Sequence, residues 1–142
     1  MKVIVGSDHG GYNLKNKIIE YLKLNEIEVV DAGTYSTESC DYPIIARKVA
    51  SEVLKNADNK GILVCGSGIG VSIVANKVKG IRASLCTDMY TAKMSRKHND
   101  ANVLCLGERV IGVGVALDIV NTWLTTDFEG GRHQKRVDII EE

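Results

Sequence analysis

Cys65 stands immediately before a glycine-rich turn, Gly66-Ser67-Gly68-Ile69-Gly70. A turn of this kind that opens a helix exposes backbone N–H groups and the positive end of the helix dipole. Such groups can hold a phosphate or oppose negative charge on oxygen, and the same turn can also serve only to join a strand to a helix. Glycine allows close approach because it has no Cβ. The spacing is G-x-G-x-G, not the G-x-G-x-x-G of dinucleotide sites. A thiol beside a helix N-terminus ionises more readily than a free one, which suits a general base or a nucleophile. Most free cysteines are small core residues, and Cys86 and Cys105, set in strand patterns, read that way. Cys40 lies in a polar loop and carries little information.

Other chemistry-bearing residues fall at similar places. Asp8-His9 follows the first strand pattern and offers a carboxylate and an imidazole, fit to move hydroxyl protons or bind phosphate; a helix cap by Asp8 is the alternative. His98-Asn99 ends a helical segment, where a histidine serves as an acid–base group or as a partner of the helix dipole. Arg132 and Arg136 are one helical turn apart, so two guanidiniums can face one dianion, or simply line a solvated face. Arg109 follows the fifth strand and is placed for an anion. Asp31, ending the second strand, is where a ribose-binding acid would sit in a nucleotide-binding module.

Position depends on the elements. Val3–Val5, Ile27–Val30, Gly61–Cys65, Ile81–Cys86 and Val103–Leu106 read as apolar strands, and helix-period segments separate them: Leu14–Leu22, Ile45–Val53, Val71–Val78, Asp88–Lys97 and Ala116–Trp123. A last segment, from about Gly130, reads as a C-terminal helix. Continuously apolar strands belong in a sheet covered on both faces, and short strand–helix alternation makes that sheet parallel. The expectation is an α/β, three-layer, doubly wound (Rossmann-like) sheet of about five parallel strands, one domain over residues 1–142. In such sheets ligands bind beyond the carboxyl ends of the strands, where Asp8, Cys65 and Arg109 fall.

The chain has 142 residues, 44% apolar and 25% charged, with 18 basic and 18 acidic residues. Zero net charge offers no field to draw it to nucleic acid or an anionic membrane. No apolar stretch approaches the ~20 residues of a membrane span, and the N-terminus does not read as a signal peptide. The four cysteines form no C-x-x-C, which argues for free thiols in the cytoplasm. No metal-ligand spacing is visible and no cofactor is implied.

Taken together, the ordered segments resemble the ribose-5-phosphate isomerase B family, which includes the galactose-6-phosphate isomerase subunits. The matching pieces are Gly6-Ser7-Asp8-His9-Gly10-Gly11-Tyr12 with Leu14-Lys15, Asp41-Tyr42-Pro43, Cys65 through Gly70, Arg82-Ala83, His98-Asn99-Asp100-Ala101-Asn102-Val103, and Gly130-Gly131-Arg132-His133 with Arg136-Val137. The resemblance implies a sugar-phosphate isomerase working by proton transfer through an enediolate, on ribose 5-phosphate or a hexose 6-phosphate such as that of galactose or allose. It implies Cys65 as the carbon base, Ser67 assisting, and the N–H groups of Gly66, Ser67, Gly68, Ile69 and Gly70 around the enediolate oxygen. His98 with Asp8 would open the furanose ring. His9, Arg132 and Arg136, helped by Arg109, would grip the phosphate, and Asn99 and Tyr42 would contact sugar hydroxyls. Position 67 is Ser where many members have Thr, which keeps the hydroxyl. The resemblance further implies a homodimer or tetramer with shared sites, His98, Asn99 and Arg109 coming from the neighbour.

Overall fold

Apolar side chains leave the central strands in both directions, and this decides the architecture. The computed structural model describes residues 1–142. Strands β1 (Lys2–Ser7), β2 (Glu28–Asp31), β3 (Lys60–Cys65), β4 (Ala83–Leu85) and β5 (Val103–Gly107) form one parallel sheet in the order β2-β1-β3-β5-β4. Between and after them run α1 (Tyr12–Leu24), α2 (Tyr42–Val53), α3 (Ile69–Asn76), α4 (Met89–Asn99), α5 (Val113–Leu124) and α6 (Arg132–Ile140).

The period of two along a strand sorts the core. Val3, Val5, Ile62, Val64, Leu104 and Leu106 pack on one face with Leu14, Ile18 and Leu22 of α1, Ala92 of α4, and Ala116, Ile119, Val120 and Trp123 of α5. Ile4, Leu63, Cys65, Val103 and Cys105 point to the other face, against Ala46, Val49, Ala50 and Val53 of α2 and Val71 and Ala75 of α3. Helix α6 lies outside this core, on α4. The three layers, the five parallel strands and the C-terminal helix are those expected from the pattern.

The departures are at the edges. β4 is three residues long, not the six of Ile81–Cys86, and β2 begins at Glu28 because the Ile27 N–H still donates to Leu22 O, 3.0 Å away, in the turn that closes α1. Edge strands pair on one side only, and β2 leaves Glu28, Val30 and Asp31 exposed. Apolar residues there mark an edge, not a fully covered strand.

From β1 the chain moves outward to β2, then returns across β1 to β3. The loops after β1 and β3 therefore diverge at a topological switch point, where a doubly wound sheet opens a crevice. Ser7 lies beside Val64, and Cys65 beside Gly107, at the carboxyl ends.

Candidate active site

The glycine turn is built around the sulfur. Cys65 is the last residue of β3 and is 5% exposed. Gly68 follows with φ +80°, a left-handed conformation that favours glycine. That turn aims the Gly68 N–H at Cys65 Sγ, 3.0 Å away, and the Ile69 N–H donates to Ser67 Oγ at 3.2 Å. Two of the five amides proposed to face the substrate are thus engaged by the site's own side chains. The N–H groups of Gly66, Ser67 and Gly70 donate to nothing within the chain. They stand at the N-terminus of α3, where amide dipoles favour an anion.

The loop after β1 closes over this turn. Asp8 Oδ1 accepts from the Gly10 N–H at 2.9 Å, so the carboxylate caps a 3₁₀ turn, His9–Gly11. The turn sits so close to β3 that a Cβ on Gly11 would lie 2.5 Å from Val64 O. His9 Nδ1 accepts from the Cys40 N–H at 3.2 Å. In a neutral imidazole that leaves Nε2 protonated, a donor suited to a phosphate oxygen. The loop carrying Cys40 is pinned in turn: the Ser7 N–H donates to Gly33 O and the Thr34 N–H to Ser7 O, both at 2.7 Å. Buried Lys15 donates to Asp31 Oδ1 and Thr34 O, again at 2.7 Å. Asp31 also accepts from the Gly33 N–H. This acid is committed to the loop, and a nucleotide-binding reading loses its ribose ligand.

Arg109 requires a correction. It was expected from a neighbouring subunit, yet its Nη1 lies 3.2 Å from where a Gly66 Cβ would be, in the same chain. The reason is local: the Glu108 N–H donates to Cys65 O (2.9 Å) and the Arg109 N–H to Gly66 O (3.0 Å), extending the β3–β5 pairing past the sheet. Tyr42, the first residue of α2, lays its ring over Gly70, where a Cβ would meet the ring at 2.7 Å. Asp8, Tyr42, Cys65, Gly66, Ser67, Ile69, Gly70 and Arg109 thus line one cleft of about 610 Å³, with Ile73 and Val110. Ile69, Ile73 and Val110 are more than half exposed.

His98, Asn99, Arg132 and Arg136 are elsewhere. In a parallel sheet each helix runs back toward the amino ends, and α4 ends at Asn99, four residues before β5 begins at Val103. Cys65 pairs with Gly107 at the other end of β5. Four strand steps of ~3.3 Å put about 13 Å of sheet between the two ends. Arg82 ties the far end together, donating to Asn99 O (3.0 Å) and Asp100 O (2.9 Å) and pairing with Glu141. At the same end the His98 and His133 rings stack, centroids 4.2 Å apart and planes 13° from parallel. Glu129 Oε1 lies 3.7 Å from His98 Nε2 and 3.5 Å from His133 Nε2. The Glu129 N–H donates to Lys97 O at 3.1 Å, which fixes this loop to α4. Arg132 opens α6 beside His133, and Arg136 follows one turn on; both are exposed. Neither Glu129 nor a role for His133 was visible in sequence, since Glu129 sits in a loop thirty-one residues from His98. His98, Glu129 and His133 are residue types that ligate metals, brought within 4.8 Å of one another where no sequence spacing suggested it.

Burial pushes the Cys86 thiol up, and more strongly the Cys105 thiol, which leaves both as core residues. Desolvation, then the neighbouring His98 and Arg132, hold the His133 imidazole below the usual histidine range.

The model of the Ribose/Galactose Isomerase family matches residues 3–140. The chain belongs to that family. Ribose-5-phosphate isomerase B of Escherichia coli is 49% identical over 98% of this chain and 93% of its own length. Among solved structures, the Clostridium thermocellum ribose-5-phosphate isomerase B superposes with a TM-score of 0.97 at 57% identity, covering 99% of this chain and 95% of that one. The Mycoplasma genitalium ribose-5-phosphate isomerase B, solved with bound ribulose 5-phosphate, gives 0.96 at 45% identity, covering 99% and 93%. No helix of this family member is long and apolar enough to cross a membrane.

Proposed function

We propose that this chain, as one domain over residues 1–142, interconverts ribose 5-phosphate and ribulose 5-phosphate in the cytoplasm, at a site completed by a second copy of itself. One observation carries the composite site. Cys65, Asp8, Ser67, Tyr42 and Arg109 share a cleft at the carboxyl end of the sheet, whereas His98, Asn99, Arg132 and Arg136 stand at the amino end. Ring opening, carbon-proton transfer and phosphate binding must all occur on one small sugar. A partner that presents its amino end to the Cys65 cleft supplies the missing groups. The exposed apolar residues at that cleft, Ile69, Ile73 and Val110, and nearby Leu85, Met89 and Tyr90, support such an interface.

The chemistry follows from the groups. The partner's arginines and His9 of this chain bind the phosphate, and binding energy remote from the reacting carbons orients C1 and C2. His98 protonates the ring oxygen as Asp8 takes the proton from the C1 hydroxyl; the C1–O bond of the ring breaks and the aldehyde forms. Cys65, as thiolate, removes the C2 proton, the carbonyl oxygen becomes an enediolate oxygen, and the free N–H groups of Gly66, Ser67 and Gly70 oppose its charge. Protonation of C1 by the Cys65 thiol, with the proton of the C2 hydroxyl passing to the C1 oxygen, gives the ketose. Ser67 steadies the turn and offers its hydroxyl to that oxygen. No step calls for a metal or a cofactor.

The test is a coupled isomerase assay in EDTA with ribose 5-phosphate and the 6-phosphates of galactose and allose. Turnover of ribose 5-phosphate that Cys65→Ala abolishes is expected. Preference for a hexose phosphate would move the reading to that sugar, and near-normal turnover by Cys65→Ala would remove the thiol from the mechanism.

A further inference from the structure

The His98, Glu129 and His133 group has a geometry that simple ring opening by one histidine does not require. Both Nε2 atoms face a single carboxylate oxygen, at 3.7 and 3.5 Å, beyond a hydrogen bond but within ion-pair range. The rings lie nearly parallel and in contact. In parallel planes the two in-plane lone pairs do not converge on one cation, so the arrangement suits holding one ring beside a carboxylate more than ligating a metal.

Resting on the isomerase reading above, we propose that Glu129 and His133 are positioning residues for His98, the carboxylate stabilising its protonated ring and His133 serving as a flat, uncharged wall that holds the ring in place. Two imidazolium rings 4.2 Å apart would repel each other, which disfavours protonation of both at once. His133 is the poorer carrier: it is buried, 6% exposed, and Arg132 and Arg136 of its own helix add like charges that disfavour a second positive ring. Half-buried His98 is the ring that reaches substrate in the ring-opening step proposed above. Glu129 can serve that ring because its backbone is fastened to Lys97, the residue before His98. The proton balance is that of the ring-opening step: the His98 imidazolium gives its proton to the ring oxygen and becomes neutral, while Asp8 receives the one from the C1 hydroxyl. Glu129 gains and loses nothing; it favours the charged ring before transfer and again when the ring is reprotonated.

The experiment separates the ring step from the carbon step. Ribose 5-phosphate is cyclic and must be opened. Ribulose 5-phosphate cannot form a furanose, because its C5 oxygen carries the phosphate, so exchange of its C1 hydrogen with solvent deuterium reports the Cys65 step alone. In Glu129→Gln, kcat for ribose 5-phosphate is expected to fall by about tenfold or more, with KM little changed and the exchange rate within about twofold of wild type. Glu129→Asp, which restores the charge, is expected to recover part of the loss. His133→Phe, which keeps the stack without the nitrogens, is expected to lose less turnover of ribose 5-phosphate than His133→Ala, which removes the wall. Equal loss on both substrates or no loss on either in Glu129→Gln, or a loss in His133→Phe as large as in His133→Ala, would overturn the inference. Failure of the isomerase reading looks different: wild type would then neither turn over ribose 5-phosphate nor exchange the C1 hydrogen of ribulose 5-phosphate.

Discussion

Replacing Lys15 by Met removes an ammonium and keeps the stem. Lys15 is 1% exposed at its side chain and makes two bonds of 2.7 Å, to Asp31 Oδ1 and Thr34 O, between the rings of Tyr12 and Tyr35, each 5.4 Å away. A charged hydrogen bond contributes about 1.5–3 kcal/mol, and cutting a fully buried pair costs about 3–5 kcal/mol. The Asp31 side chain is 36% exposed and regains water when the lysine leaves, which lowers the cost to about 2–3 kcal/mol. For a chain of this length that is a fall in Tm of about 5–10 °C. Urea unfolding followed by circular dichroism gives the free energy, valid if m is unchanged. The double variant with Asp31→Asn should lose less than the sum of the two single variants, because the two groups are in contact. The effect should also reach the site. The loop that Lys15 holds carries Cys40, whose N–H orients His9, and it leads into Tyr42. KM for the sugar phosphate is therefore expected to rise. A loss under about 0.5 kcal/mol, the size of an ordinary surface substitution, or strict additivity with Asp31→Asn, would refute the claim that this buried cation fastens the loop.

Two further outcomes follow from local geometry. Gly68→Ala forces a side chain onto φ +80° and into Leu106, whose carbonyl carbon would be 2.9 Å from the new Cβ; it should destabilise the chain by at least about 1–2 kcal/mol and lower kcat by turning the amide away from Cys65 Sγ, as thermal melts and steady-state rates would show. Asp88 caps α4, accepting from the Thr91 N–H at 2.7 Å, and that bond holds its carboxyl below the usual range. Its stabilisation is present above the carboxylate's unfolded pKa and lost as pH falls through the lower folded value; Asp88→Ala should melt earlier than wild type at neutral pH, and the gap should close in acid.

How much of this was legible in the residues depends on the range of the interactions. The central strands are apolar at every position, so Val3–Val5, Gly61–Cys65 and Val103–Leu106 were readable and the crevice after β1 and β3 followed from topology. Edge positions are less constrained, and Ile81–Cys86 overstated β4 because apolar residues there serve the helix layer and the exposed rim. Cys65 could be singled out because its special feature, the turn after it, is adjacent in sequence. Arg109 was assigned to the wrong chain because its place beside Gly66 depends on two backbone bonds between segments forty-three residues apart, which no local pattern encodes. Glu129 was missed for the same reason: its partners, His98 and Lys97, meet it only through the packing of α6 on α4.

Subunit complementation tests the composite site most directly. Two inactive variants, Cys65→Ala and His98→Asn, are unfolded together in equal amounts and refolded. If Cys65 of one copy works with His98 of the other, a mixed dimer has one site with both lesions and one intact site. Half of the dimers are mixed, so the mixture should regain about a quarter of wild-type activity. A mixture as inactive as its components, in dimers shown to have exchanged subunits, would mean that Cys65 and His98 act within one chain or not at all.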